Sequence, residues 1–177
     1  IADDLTGAND TALQFMMRGC NTQILFDYQA VPEGKSYTQA WAISTETRNE
    51  DPDYAARKVY EITQGLLFNF NFEHVYKKID STLRGNIAHE CWATMKALDY
   101  DAAVIVPAFP AENRTTIGGY QMLKGVPVER TEFARDPQNP IFESHIPTLL
   151  RQQVKEENYD DIDLIQFSTV TKGAGPI

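Results

Sequence analysis

The 177-residue sequence carries 25 acidic against 16 basic side chains, a formal net charge of -9, and 42% hydrophobic residues. This composition is ordinary for one soluble, well-cored domain, and the acidic balance argues against a nucleic acid or an anionic membrane as partner. Cys20 and Cys91 lack metal-ligand spacing and point to no disulfide framework or zinc site, which fits a reducing cytoplasm, and no apolar run reaches the roughly 18 residues that span a bilayer.

Ile1 and Ala2 read as the tail of a buried strand, and Asp3 to Asp10 as the loop after it. A short amphipathic helix on Ala12, Phe15 and Met16 follows, with Gly19 as its stop. Adjacent acids at a strand's carboxyl end repel each other, so Asp3 and Asp4, with Thr6 beside them, are candidates for ligand contact. The alternative is a turn and a helix-entry charge. Thr22 to Phe26 and Gln39 to Ile43 read as strands joined by a Pro/Gly loop at Val31 to Gly34. The second runs out into polar residues ending at Arg48, either an anion ligand or a surface arginine paired with Glu50 or Asp51. Pro52 then opens a helix with Ala56, Val59, Ile62 and Leu66 on its buried face.

The densest polar stretch is Tyr76-Lys77-Lys78-Ile79-Asp80-Ser81-Thr82-Leu83-Arg84-Gly85-Asn86. His74 to Ile79 is short and β-prone, while Ile87, Cys91, Met95 and Leu98 recur at helical spacing. Asp80, Ser81 and Thr82 therefore sit between a strand's carboxyl end and a helix's amino end, where backbone N–H groups and the helix dipole favour negative charge. Lys78 and Arg84 add cations there, and Arg grips a carboxylate or phosphate through two parallel hydrogen bonds. The bland alternative is a Ser81 or Thr82 cap with solvated Lys and Arg neighbours, but a cap needs only one oxygen.

Ala102 to Val106 reads as a strand rich in β-branched residues, feeding a proline-stiffened loop that ends at Arg114. A hairpin is expected around Gly125, a short capped helix over Thr131 to Asp136 before Pro137, a helix over Leu149 to Val154, and a last strand over Ile162 to Phe167. Lys172-Gly173-Ala174-Gly175 lacks the phosphate-loop frame and reads as a loop. His74, His89 and His145 are scattered, and Trp41 and Trp92 read as core. Alternating strands and helices predict an α/β fold with three layers, a mainly parallel sheet with helices on both faces, Rossmann-like.

Ile1-Ala2-Asp3-Asp4-Leu5-Thr6-Gly7-Ala8, Lys77 to Asn86, and Pro107-Ala108-Phe109-Pro110 with Arg114 together resemble the four-carbon acid sugar kinase family, in its N-terminal sugar-acid-binding domain. Arg135-Asp136-Pro137-Gln138-Asn139-Pro140 resembles a further stretch of that family, shortened by one residue. The resemblance implies residues 1–177 of an incomplete N-terminal domain, with the nucleotide-binding C-terminal domain absent. It implies an ATP-dependent kinase acting on the terminal hydroxyl of threonate, erythronate or an oxo-tetronate. ATP and Mg2+ would be bound largely by the other domain, the sugar acid by this one, and a homo-oligomer is compatible. Asp4 and Asp80 are the implied catalytic acids, and Asp3, Thr6, Arg48, Lys78, Ser81, Arg84 and Arg114 the implied substrate contacts. No metal ligand is expected in this chain. Two other readings stand beside it. One is a non-catalytic sugar-acid-binding module. The other is a haloacid-dehalogenase-type phosphatase, whose two acids lie two residues apart, whereas Leu5 stands two after Asp3 here.

Overall fold

The computed structural model describes residues 1–27, 37–154 and 161–173. The Val31 to Gly34 loop and the Ala174-Gly175 end of the glycine-rich stretch lie outside them. The chain divides into two compact units, Ile1–Asp80 with Gly85–Val104, and Ser81–Arg84 with Ile105–Ile177.

In the first unit, α1 (Leu5–Met16) is followed by β1 (Thr22–Leu25) and β2 (Ala40–Ile43), which pair in parallel with Thr22 opposite Ala40. Ala2 continues this parallel arrangement through single bridges to Ser44 on one side and Lys78 on the other. The expected His74 to Ile79 strand is thus reduced to one bridge at Lys78. Asp4 caps α1 by accepting from the Gly7 amide at 2.7 Å, satisfying one of the helix's open donors. The buried face of α1 is Gly7, Ala8 and Ala12, whereas Phe15 and Met16, expected to face inward, are exposed. Small side chains four apart let this helix approach the strands closely, and Ala2, Ala8, Ala12 and Ala42 form a cluster with Ile24 against it.

The long helix α2 (Pro52–Asn69) starts as read, with proline in its first turn and Asp51 accepting from the amides of Asp53 and Tyr54. Its inner face buries Ala55, Val59, Ile62, Thr63 and Leu66, with Ala55 taking the place expected of Ala56. Ile62 and Leu66 meet Leu25 and Ile43 in the main apolar cluster, with Trp41, Phe70 and Phe72 packed around it. Helix α3 (Ile87–Leu98) packs against α2, buries Ile87, Ala88, Cys91, Ala93 and Ala97, and turns out at Asp99 in the left-handed region. Trp92, expected in the core, lies on its exposed face one position from the buried stripe.

Burial pushes the Cys91 thiol up to about 11, away from the nucleophilic thiolate. Alkylation of native protein near pH 8 followed by peptide mapping should therefore label half-buried Cys20 and spare Cys91 until denaturant is added. Equal labelling of both would show that the α2–α3 contact opens freely.

In the second unit, β3 (Arg114–Ile117), β4 (Tyr120–Leu123) and β5 (Val126–Pro127) form an antiparallel sheet in that order. Gly118 and Gly119 both have positive φ, which a two-residue hairpin turn requires, and Lys124 and Gly125 repeat the pattern in the second hairpin. The hairpin around Gly125 is as read. The loop residues before it were not expected to pair, yet they form β3. Thr131 caps a short 3-10 turn over Glu132–Arg135, and α4 (Ile146–Gln153) carries a proline in its first turn. The expected strand at Ile162 to Phe167 is absent: residues 162–166 are irregular, and α5 (Phe167–Val170) begins at Phe167. Nor does Ala102 to Val106 form a strand, since Val104 and Val106 are exposed with no pairing partner among the described residues. β-propensity describes fit to a paired, half-buried surface, so composition alone did not make strands there. The described chain is a mixed α/β protein with small sheets, parallel in one unit and antiparallel in the other.

Candidate functional site

The loop from Tyr76 to Asn86, read from sequence as one piece, is shared out. Its Asp80 belongs with the first unit and its Ser81 to Arg84 segment with the second.

The first unit gathers Asp3, Asp4, Thr6, Arg48, Lys78 and Asp80. Arg48 leaves β2's polar extension and grips Asp3 with a fork, Nε to Oδ2 at 2.8 Å and Nη2 to Oδ1 at 3.0 Å. Its Nη1 donates to Asp4 Oδ2 at 2.5 Å. The Asp3 carbonyl meanwhile accepts from the amides of Thr47 and Arg48 at 2.9 and 3.3 Å. Asp3 is buried, so the repulsion between two neighbouring acids is resolved by one guanidinium placed across both. Burial works against the Arg48 charge, but the hydrogen bond to Asp3 and the charges of Asp3, Asp80 and Asp4 outweigh it and hold the guanidinium firmly protonated. The alternative pairing of Arg48 with Glu50 or Asp51 is not what forms. Arg48 therefore has its charge matched internally, and the cluster as a whole is acidic. Lys78 Nζ donates to the Ile79 carbonyl at 2.5 Å, and Asp80 is buried. Thr6 stands exposed in the first turn of α1. Gly85, at φ 90°, lies against Arg48: a Cβ there would come within 3.0 Å of Arg48 Cγ and 3.3 Å of its carbonyl oxygen.

The second unit gathers Ser81, Arg84 and Arg114. Arg114 Nη1 donates to Ser81 Oγ at 2.6 Å, while its buried Nε has no hydrogen-bond acceptor among the described residues. Arg84 Nη1 reaches Asp136 Oδ2 at 3.2 Å, with its guanidinium 5.2 Å from the centre of the Phe133 ring. Amides of Asn139 and Gln138 donate to the other Asp136 oxygen and, together with Arg84, hold this carboxyl below its ordinary range. Between Ser81 and Arg84 the buried Leu83 holds a φ of 69°, a strained setting for a branched side chain and one found disproportionately at binding loops.

Three supporting residues escaped the sequence reading. Gln121 is fully buried and ties the Ser81 and Pro107 carbonyls with its amide, at 2.6 and 3.2 Å, while accepting from Thr116. Glu90 and Lys77 form a buried ion pair at 2.6 Å. A signal for Glu90 existed: a carboxylate three residues after Ile87 and four before Thr94 falls in the buried stripe of a helix. Gln121 had none beyond strand alternation.

The chain matches a family model described as the sugar-binding N-terminal domain across residues 1–177. It belongs to that family. Among relatives of this sugar-binding domain, a protein named D-threonate kinase from Salmonella typhimurium is 39% identical over 160 residues, covering 90% of this chain and 37% of its own length. A D-erythronate kinase from Heliobacterium modesticaldum is 35% identical over 176 residues, covering 98% and 39%. A Haemophilus influenzae crystal structure matches with a TM-score of 0.84 at 28% identity, covering 98% of this chain and 42% of that one. A Bordetella bronchiseptica structure, a domain-swapped dimer with bound citrate, matches at 0.79 and 40% identity, covering 84% and 38%. The sugar-binding domain described here thus spans about two fifths of the length of the relatives it matches.

Proposed function

We propose that this chain is the incomplete N-terminal, substrate-binding domain of a two-domain kinase. That enzyme uses ATP to phosphorylate the terminal hydroxyl of a four-carbon sugar acid: threonate, erythronate or an oxo-tetronate. The observation that carries the reading is the buried Arg114 Nε without an acceptor among the described residues, on a side chain already donating to Ser81. A buried donor is nearly always satisfied, and an oxygen of an anionic ligand would satisfy this one. The relatives' names supply the class of anion, and the citrate of the Bordetella structure is likewise a carboxylate. Parallel pairing in the first unit supports a larger three-layer sheet in the whole domain. A domain-swapped relative supports a homo-oligomer. No described helix is long and apolar enough to cross a membrane, in keeping with a cytoplasmic setting.

Phosphoryl transfer asks the protein for alignment and charge stabilisation rather than covalent chemistry. Arg84 and Arg114 hold the substrate's anionic end, with Ser81 beside them. In the first unit, taken by itself, Asp3, Asp4 and Asp80 offer acceptors for sugar-acid hydroxyls, Asp3 and Asp4 held by Arg48, with Thr6 and Lys78 as further contacts. Asp4 or Asp80 orients or deprotonates the attacking hydroxyl. Among the described residues no three His, Cys, Asp or Glu side chains converge on one point. We assign Mg2+ and the nucleotide largely to the separate C-terminal domain. A second reading, a sugar-acid-binding module without turnover, is favoured for the isolated chain because it spans only about two fifths of its relatives' length.

The test is a screen of the intact protein with ATP and Mg2+ against D-threonate, D-erythronate and 3-oxo-tetronate. Phosphorylation of at least one is expected, and turnover of none would end the kinase reading. In the same assay Arg84→Ala should lower kcat/KM at least about tenfold, the loss of one charge-assisted hydrogen bond. An unchanged kcat/KM would remove Arg84 from the anion grip.

A further inference from the structure

We propose that Glu90 is a positioning residue for the Asp3–Asp4–Arg48 cluster, acting through Thr47. This inference rests on the kinase reading for its effect on turnover, though not for its geometry. Glu90 is buried on α3, and its hydrogen-bond and ion-pair partners among the described residues are Thr47 and Lys77 rather than any of the three clustered residues. Its Oε2 takes the Lys77 ammonium at 2.6 Å, and its Oε1 takes the Thr47 hydroxyl at 2.6 Å. A carboxylate only accepts, so the single Thr47 proton is committed to Glu90, and the Thr47 oxygen can only accept from Thr45 Oγ1, 2.6 Å away. The Thr45 hydroxyl also lies 3.0 Å from the Ala2 carbonyl, so its one proton is divided between that oxygen and Thr47. Glu90 thereby gives direction to a chain of hydroxyls ending on the residue before Asp3.

The backbone of Thr47 completes the link. Its amide and that of Arg48 both donate to the Asp3 carbonyl, and the next side chain along is the guanidinium that spans Asp3 and Asp4. On its other oxygen Glu90 holds Lys77, which also donates to the Lys78 carbonyl at 3.0 Å, in the segment leading to Asp80. One carboxylate thus anchors both acid-bearing segments of the first unit. Leucine would pack as well on a buried helical stripe, and buried ion pairs are poor net stabilisers, so a geometric role accounts for this carboxylate better than a stabilising one.

The experiment uses the intact protein with Thr47→Val, Thr47→Ser and Glu90→Gln. Three quantities are read: melting temperature, kcat and KM for the four-carbon acid and for ATP, and the exchange rate of the Arg48 Nε–H by selectively labelled NMR. Thr47→Val should stay folded, lose tenfold or more in kcat/KM for the sugar acid with KM for ATP unchanged, and expose the Arg48 Nε–H to exchange. Thr47→Ser, which restores the hydroxyl, should return to within about threefold of wild type. Glu90→Gln, which keeps an acceptor oxygen, should fall between them. A folded Thr47→Val with wild-type kcat/KM and a protected Arg48 Nε–H would overturn the proposal. So would Thr47→Ser as impaired as Thr47→Val, or unfolding of both Thr47→Val and Glu90→Gln, which would mark a purely structural role. If the wild type phosphorylates no sugar acid, the kinase reading fails, and the Arg48 exchange rate alone decides the positioning.

Discussion

Lys77→Met should destabilise the protein by about 3–5 kcal/mol, because it leaves the Glu90 carboxylate buried opposite an apolar side chain. Both side chains are almost fully enclosed, at 8% and 2% exposure, so water can replace little of what is lost. The remaining partner, the Thr47 hydroxyl, is one neutral donor where an ammonium stood. The comparison that makes this diagnostic is the double variant Lys77→Met with Glu90→Leu. Removing both charges takes away the desolvation cost along with the attraction, and Thr47 can turn its proton to Thr45. The double variant should recover most of the lost stability, within about 1–2 kcal/mol of wild type. Chemical denaturation of the four proteins in the cycle checks it. A Lys77→Met variant as stable as wild type would show that the pair is open to solvent.

The second large effect is expected at Arg48. Arg48→Met keeps the apolar stem but removes three hydrogen bonds and, among the described residues, the only guanidinium bound to Asp3 and Asp4. Asp3 is then a buried carboxylate beside a second one, and the cost should again be about 3–5 kcal/mol. Adding Asp3→Asn should give back a large part of it, since the amide carries no charge, whereas adding Asp4→Asn should give back less. Asp4 is more exposed and keeps its helix-cap bond from Gly7. Denaturant midpoints at constant slope measure the order of these recoveries. Equal recoveries would mean that Arg48 serves the two acids alike.

Much of this was legible in the residues. Pro52 and the apolar stripe after it mark the start of α2 without any tertiary information, and the repulsion between adjacent Asp3 and Asp4 called for a partner, although a ligand was expected in that place. What was not legible depended on contacts between distant segments. The inward face of α1 was set by which side chains were small enough to approach β1 and β2, so Ala8 and Ala12 displaced Phe15 and Met16. Ala102 to Val106 had the composition of a strand, but pairing needs a second edge, which composition cannot supply. Arg48 read as an anion ligand or as a partner of nearby Glu50 or Asp51 because the acids that hold it lie 44 and 45 positions away in sequence. The split of the Tyr76 to Asn86 loop between two units was equally invisible, since nothing at Asp80-Ser81 interrupts the polar run.

The close approach of Gly85 to Arg48 narrows what mutation can do to this protein. Every other amino acid at position 85 would pay twice, once in a backbone twist that L-residues resist and once in shoving aside the stem of the arginine that keeps two acids together. The hydrogen atom that stands for a side chain there is what lets two stretches nearly forty residues apart in sequence lie against one another.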